Sequence, residues 1–197
     1  MHEGGIHRIS EPLAAIARLD DESALTLLRR HCERASRHQQ RSRTVEEERI
    51  LVGAIGEELV TQLARTELEY AGRIELASQV QRVSLVDEGL GYDVQAPTLA
   101  GRLRLMEVKS STGMCTGAFT FFLSRNEYEV GLRNPTTWAV VACHVAEYRS
   151  VDDSEILGWT PATALRPYLP EDGNGRWTEA HVRLPRSVLT LGLPPMV

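Results

Sequence analysis

The chain has 197 residues and a mass of 22.0 kDa, enough for one ordinary domain with a sizeable core and a small appendage. No apolar run approaches the roughly 18 residues of a membrane span, so we expect no membrane protein. The net charge of −5 excludes the broad positive field of a protein that coats nucleic acid, so any nucleic-acid contact must be local. Three scattered cysteines and the lack of a secretory pattern in the first twenty residues lead us to expect a cytoplasmic protein.

The N-terminal segment, residues 1–45, is predicted to form a helical extension. Apolar residues recur at helical spacing after the acidic run at 20–22, and the same stretch is rich in arginine. Arg30, Arg34 and Arg37 belong to this basic strip and are candidate contacts to DNA. A solvated helix face, or a contact to another subunit such as a second copy in a homodimer, is the commoner reason for such a strip.

Residues 46–150 are predicted to form the core, an α/β domain with a mixed central sheet flanked by helices. A helix from about Val45 to Tyr70 begins this core. Ser124 and Glu127 make an S-x-x-E capping box at the start of a later helix. Strands are predicted near residues 80–86, 92–95, 102–109, 118–123 and 138–145, of which the last is apolar enough to be buried on both faces.

The C-terminal segment, residues 151–197, is predicted to extend the edge of this sheet. Short strand-like pieces lie near residues 156–159 and 177–184, and a glycine-rich turn at 173–175 separates them. The chain therefore divides into a helical extension, a core and a C-terminal sheet extension with a tail.

The segment LRLMEVK, residues 103–109, places an acid and an amine on one face of a predicted strand. Because alternate residues of a strand share a face, Glu107 and Lys109 project together, following Leu103 and Leu105 on that face. Burial of two charges on a core strand is costly, which favours a chemical role. Lys109 is the only lysine beside 21 arginines, and lysine, unlike arginine, can shift its pKa and act as a compact point charge.

Asp93 adds a second carboxylate, on the neighbouring predicted strand and directly after the turn at residues 91–92. Two carboxylates and an amine beside a strand pair outline a site for Mg²⁺, which prefers oxygen ligands, with Mn²⁺ as a substitute. Asp93, Glu107 and the carbonyl oxygen of Val108 are the candidate metal ligands. Lys109 would orient or deprotonate the attacking water, or neutralise charge that develops on a phosphate.

Four segments in chain order, GAIGEELV, GYDV, MEVKSS and an apolar strand running into LSRNEYE, resemble the PD-(D/E)XK nuclease superfamily. In particular, the chain resembles a restriction-endonuclease-like branch that is often found in phage-defence proteins, and the resemblance covers about residues 50–145. It implies a restriction-endonuclease-like fold, with Asp93 as the acid of the first catalytic motif and Glu107 and Lys109 as the Glu-x-Lys motif.

The same resemblance implies a helical glutamate that assists catalysis and metal binding. Glu57 is the candidate because the order Gly-Glu at residues 56–57 fits the family pattern, and Glu58 is its rival. The chain departs from the superfamily's name because tyrosine, not proline, precedes Asp93, a departure that is common in this branch.

Three further residues are candidate contacts to nucleic acid. The predicted helix start at Ser124 has exposed backbone N–H groups that, with Arg125 and Asn126, would meet a phosphate, although a plain helix cap explains the pattern equally well. Ser110 follows the lysine and would donate a hydrogen bond beside the site, although loop polarity explains it as readily.

Two functions of different classes follow. The first is a magnesium-dependent nuclease that hydrolyses phosphodiester bonds, expected to be those of DNA, in restriction or phage defence. The second is a catalytically silent module of the same fold that binds a protein partner or nucleic acid in a defence complex. The acidic net charge favours the second, whereas the intact Asp, Glu and Lys set favours the first. A recognisable DNA-reading motif is lacking, so specificity is expected from a partner or a dimer.

Overall fold

The computed structural model describes the backbone of residues 21–113, 117–146, 150–173 and 175–196, and the side chains of the same residues except 21–43 and 88. The backbone of Arg30, Arg34 and Arg37 is helical. Their side chains, and with them the predicted contact of the basic strip with DNA, lie outside the described residues, as do residues 1–20.

The first described element is a single helix, α1, which spans Asp21–Tyr70. We expected a separate helix to begin near Val45, where the charge changes sign, and this expectation was wrong. No glycine or proline interrupts the chain between Asp21 and Gly53, and a change of charge does not break the backbone hydrogen bonds of a helix. Contacts divide the chain into two compact units, Met1–Arg49 and Ile50–Val197.

The unit from Ile50 onward contains a mixed central sheet of five strands in the order β1, β2, β3, β5, β6. Strands β3 and β5 are parallel, and the other neighbouring strands are antiparallel. The strands are β1 (Gln81–Arg82), β2 (Val94–Pro97), β3 (Leu103–Ser111), β4 (Ala118–Ser124), β5 (Trp138–His144), β6 (Glu155–Pro161) and β7 (Glu179–Pro185). The shorter helices are α2 (Ile74–Ala77), α3 (Arg125–Arg133) and α4 (Ala162–Leu165).

This architecture confirms the predicted α/β class and fits a restriction-endonuclease-like fold. Strand β5 is buried along nearly its whole length, as its continuous apolar sequence predicted. Helix α3 begins with the predicted capping box, with both of its reciprocal hydrogen bonds present. In the part of the chain that the structure describes, no helix combines the length and the apolar character that a bilayer crossing requires.

The C-terminal segment was only partly predicted. Strand β6 extends the central sheet beside β5, but β7 pairs with β4 in a separate two-stranded sheet. Both strands of that small sheet alternate between buried and exposed residues, so each has one face to bury and one to leave in solvent.

The strand predicted at residues 80–86 is also shorter than expected. Only Gln81–Arg82 pairs in the sheet, and the chain then turns, leaving Leu85 72% and Val86 88% exposed. The apolar character of these two residues therefore reflects neither a strand nor a buried position.

Two hydrophobic clusters cover the two faces of the central sheet. Helix α1 contributes Val60, Ala64 and Leu68 to the first cluster, where they pack with Met106 and Val108 of β3. The second cluster joins residues of α3, α4 and the small sheet to β5, with Leu105 of β3 packed against it. Strand β3 thus has one face toward α1 and the opposite face, which carries Glu107 and Lys109, toward α3 and β4.

Candidate active site

The register of two strands brings the two predicted carboxylates together. Val94 of β2 pairs with Met106 of β3 in antiparallel register, so Asp93, which directly precedes β2, lies opposite Glu107. The backbone N–H of Asp93 donates to the carbonyl of Met106 at 2.9 Å. Oδ2 of Asp93 accepts from the backbone N–H of Val108 at 2.7 Å, which fixes the carboxylate against β3.

Lys109 lies between two carboxylates, of which sequence reasoning assigned only one to the site. Its Nζ is 2.8 Å from Oε1 of Glu107 and 3.1 Å from Oε2 of Glu127, which is in the first turn of α3. Glu107 is 4% exposed, whereas the Lys109 side chain retains 16% exposure. The acid and the amine that alternate along β3 therefore form an almost buried ion pair with one accessible edge.

Glu57, on α1, is connected to the site through hydrogen bonds to Arg82 and Ser84. Its Oε2 accepts hydrogen bonds from Nε of Arg82 and from Oγ of Ser84, each at 2.5 Å. The backbone N–H of Ser84 in turn donates to the carbonyl of Asp93 at 3.3 Å. The rival, Glu58, accepts instead from the side-chain amide of Gln62 at 2.9 Å, in an exposed hydrogen bond along the helix.

Burial dominates the electrostatics of the two facing carboxylates. It raises the pKa of Asp93 to about 6, against the opposing effect of the hydrogen bond from Val108, and the charge of Glu57 raises this pKa further. Burial also raises the pKa of Glu107 well above its usual value, although the charge of Lys109 acts in the opposite direction. Both carboxylates thus pay a desolvation cost that the neighbouring ammonium only partly offsets.

Opposing effects act on the pKa of Lys109, and together they raise it above its usual value. Burial lowers this pKa, but the negative charges of Glu107 and Glu127 and their hydrogen bonds raise it by more. Lys109 is therefore a protonated donor with two carboxylate acceptors.

The residues present fit the divalent metal that the family resemblance implies. Asp93 and Glu107 offer carboxylate oxygens beside a single ammonium, so negative charge is in excess, and the carbonyl of Val108 directly follows Glu107 in the chain. Among the described residues, no group of three or more His, Cys, Asp or Glu side chains is arranged to hold a metal. Two carboxylates, completed by water and substrate oxygens, are the protein share that Mg²⁺ commonly uses.

Ser110 does not face the site. Its Oγ is buried without a hydrogen-bond partner among the described residues, on the face of β3 that packs against α1. A Cβ at Gly56 would lie 1.9 Å from this Oγ, so the helix and the strand touch closely here. The close packing of α1 on β3 therefore explains Gly56, the glycine of the Gly-Glu pair that suggested Glu57.

The predicted phosphate contacts of α3 are occupied by protein groups. Nε of Arg125 donates to Glu129 at 2.8 Å, and its two terminal nitrogens donate to the carboxylate of Asp172 at 2.8 and 3.0 Å. The same guanidinium lies 4.9 Å from the ring centroid of Trp177. Nδ2 of Asn126 donates to the carbonyl oxygen of Gly89 at 3.0 Å. These contacts do not bring Arg125 and Asn126 into the cluster around Lys109.

Glu127 is the site residue that sequence reasoning missed. The capping box was a sufficient reason for a glutamate at this position. The backbone N–H of Glu127 donates to Oγ of Ser124, and Oε2 of Glu127 accepts from the backbone N–H of Ser124 at 2.8 Å. The segment LSRNEYE, which contributed to the family resemblance, contains this glutamate and was the available signal. Only the tertiary structure shows that the same Oε2 also accepts a hydrogen bond from Nζ of Lys109.

Comparison with family models gives a match to the model described as "Protein NO VEIN, C-terminal" over residues 56–153. The matched region begins at Gly56 in α1 and includes Asp93, Glu107, Lys109 and Glu127. Comparisons with curated proteins and with solved structures gave no match.

Proposed function

We propose that this protein is a metal-dependent nuclease of the PD-(D/E)XK type, which hydrolyses phosphodiester bonds of DNA in restriction or phage defence. The observation that carries the proposal is the cluster of Asp93, Glu107 and Lys109 on one face of β2 and β3. A structural ion pair requires one acid and one base, whereas this cluster holds an additional, partly buried carboxylate opposite the first. Such an excess is costly without a cation to offset it.

Each protein group has a distinct task in the proposed reaction. Asp93 and Glu107, with the carbonyl of Val108, would hold the divalent metal, which when bound supplies Lewis-acid stabilisation of the phosphate oxygens. Glu57 assists by holding Ser84, whose backbone N–H contacts the carbonyl of Asp93. This chain of contacts keeps the Asp93 carboxylate in its place opposite Glu107.

Lys109 acts as a hydrogen-bond donor and a positive charge. Its ammonium already donates to two carboxylates, and its exposed edge leaves room to donate to an attacking water or to a phosphate oxygen. A positive charge fixed before the substrate arrives stabilises the negative charge that develops on the phosphate as the bond breaks.

The test is cleavage of supercoiled plasmid, linear duplex DNA, single-stranded DNA and RNA, each with Mg²⁺, with Mn²⁺ and with EDTA. Wild type should cut at least one DNA substrate only with metal, and Lys109→Ala and Asp93→Asn should not cut. Glu155→Gln, which removes an exposed carboxylate at the start of β6, is the matched control and should cut as wild type does. Cutting by Lys109→Ala at the wild-type rate would overturn the proposal.

A second candidate function is a nuclease-fold module that binds a protein partner or nucleic acid without cutting. The engagement of Arg125 by Glu129 and Asp172 favours it, because this arginine is not free to meet a phosphate. The net charge of −5 points in the same direction. Absence of cleavage on all four substrates with either metal would favour this candidate over the nuclease.

A further inference from the structure

We infer that Glu127 is a positioning residue for Lys109, holding its ammonium in place while Glu107 is engaged with the metal. This inference rests on the proposed function for its catalytic consequence, but the contact between the two side chains can be tested independently. Among the described residues, Glu107 and Glu127 are the ion-pair partners of Lys109.

The carboxylate of Glu127 is itself fixed by the start of α3. Its Oε2 accepts from the backbone N–H of Ser124, while Oγ of Ser124 accepts from the backbone N–H of Glu127. These reciprocal bonds hold both ends of the capping box, and the side chain of Glu127 is only 21% exposed. The helix start therefore presents a preorganised acceptor to Lys109, rather than a mobile surface carboxylate.

The two partners of Lys109 differ in what else they are required to do. Glu107 faces Asp93 and belongs to the proposed metal site, so it would have to serve both a bound metal and the ammonium of Lys109. Oε2 of Glu127 already accepts from Ser124 and Lys109, and Glu127 follows the next strand rather than lying on β2 or β3. Glu127 is thus the acceptor that remains committed to Lys109 throughout the reaction.

Two substitutions separate this role from simple helix capping. Glu127→Gln keeps a side-chain oxygen for the backbone N–H of Ser124 but removes the negative charge beside Lys109. Ser124→Ala removes the capping hydroxyl but leaves the carboxylate of Glu127 in place. If Glu127 acted only as a cap, Ser124→Ala would be the more damaging change.

The first readout is steady-state cleavage at saturating Mg²⁺. Glu127→Gln should lower kcat by roughly 10- to 100-fold with KM changed by less than about twofold, as for other groups that orient a catalytic side chain. Its unfolding temperature should stay close to that of wild type. Ser124→Ala should lower the unfolding temperature and should lower kcat much less than Glu127→Gln does, because the carboxylate and its bond from the backbone N–H of Ser124 remain. Equal kcat for Glu127→Gln and wild type would overturn the inference while leaving the proposed function intact.

The second readout does not depend on activity, because Lys109 is the only lysine in the chain. In protein labelled with ¹⁵N-lysine, the ammonium gives one side-chain signal, whose proton exchange with water reports its hydrogen bonds. Exchange should be roughly tenfold faster in Glu127→Gln than in wild type or Ser124→Ala, as expected for loss of one charge-assisted bond.

The two readouts distinguish failure of the inference from failure of the proposed function. If wild type cuts nothing but exchange rises in Glu127→Gln alone, the nuclease proposal fails and the positioning contact stands. If exchange is the same in Glu127→Gln and wild type, the positioning contact is refuted whether or not the protein cuts.

Discussion

Strand β3 carries two buried charged clusters, and they differ in charge balance. Toward the end of β3, the ammonium of Lys109 lies among the carboxylates of Asp93, Glu107 and Glu127. Near its start, on the opposite face, Arg104 meets a single carboxylate, that of Glu67, at 2.8 Å. Arg104 is 2% exposed and also donates to the carbonyl of Pro194 at 2.8 Å. We call the first group the site cluster: it consists of Asp93, Glu107, Lys109 and Glu127.

The comparison shows that burial of charge alone does not identify a functional site. The pair of Arg104 and Glu67 is neutral as a whole and ties β3 to α1 and to the C-terminal tail, which is a structural task. Two nitrogens of Arg104, Nε and Nη2, nevertheless have no hydrogen-bond partner among the described residues. The site cluster instead carries an excess of negative charge, which the fold tolerates and which a divalent cation would offset.

The largest expected effect comes from neutralising one carboxylate of each cluster. Glu107→Gln should lower metal-dependent cleavage at least about 100-fold, because one of the two carboxylates proposed to hold the metal is lost. In metal-free buffer the same variant should unfold at the wild-type temperature or above it, since it removes one of three carboxylates gathered around a single ammonium and leaves Lys109 paired with Glu127. Glu67→Gln should lower the unfolding temperature and keep the cleavage rate within about twofold of wild type. Loss of cleavage in Glu67→Gln, with a folded protein, would abolish the distinction between the clusters.

A second prediction concerns the stability of the arginine pair alone. Glu67→Ala leaves the guanidinium of Arg104 buried without its counter-charge and should reduce the free energy of unfolding by about 2–3 kcal/mol. The value lies below that of a fully buried pair because the Glu67 side chain is 29% exposed. Arg104→Met removes the charge together with the unpartnered nitrogens and should stay within about 1.5 kcal/mol of wild type. Urea unfolding measures both, and a greater loss in Arg104→Met than in Glu67→Ala would contradict this account of the pair.

A third prediction tests the packing of α1 on the back of the site. Gly56→Ala should destabilise the protein by about 1–3 kcal/mol, because the new methyl group would collide with Oγ of Ser110. Gly53 is the matched control: the nearest atom to a Cβ there is an oxygen of Glu57 at 3.9 Å, so Gly53→Ala should gain about 0.4–1 kcal/mol. Thermal or urea unfolding measures the stability of the two variants. Stabilisation by both substitutions would show that the close contact at Ser110 is absent.

Local pattern was sufficient to predict part of this molecule. The alternation along residues 103–109 placed Glu107 and Lys109 on one face, and the spacing of Ser124 and Glu127 located the start of α3. Both follow from contacts between residues two or three positions apart. The buried strand β5 was equally accessible, because an unbroken apolar run leaves no face for solvent.

Features that depend on contacts between residues far apart in the chain could not be predicted from the sequence. The partner of β7 is β4, and nothing local to either strand distinguishes that pairing from an edge of the central sheet. The second role of Glu127 depends on the approach of α3 to β3. The contact of Arg125 with Asp172, which occupies both terminal nitrogens of the guanidinium, joins residues 47 positions apart and could not be predicted from local pattern. Charge balance around Lys109 likewise emerges only after the strands and helices have assembled.

The central claim is that the excess charge of the site cluster holds a divalent cation. Titration of the metal-free protein with Mn²⁺, followed by electron paramagnetic resonance, tests it most directly. Wild type and Glu67→Gln should bind a single ion with the same affinity, and the double variant Asp93→Asn with Glu107→Gln should not bind it. Unchanged binding in that double variant, or none in wild type, would contradict the account.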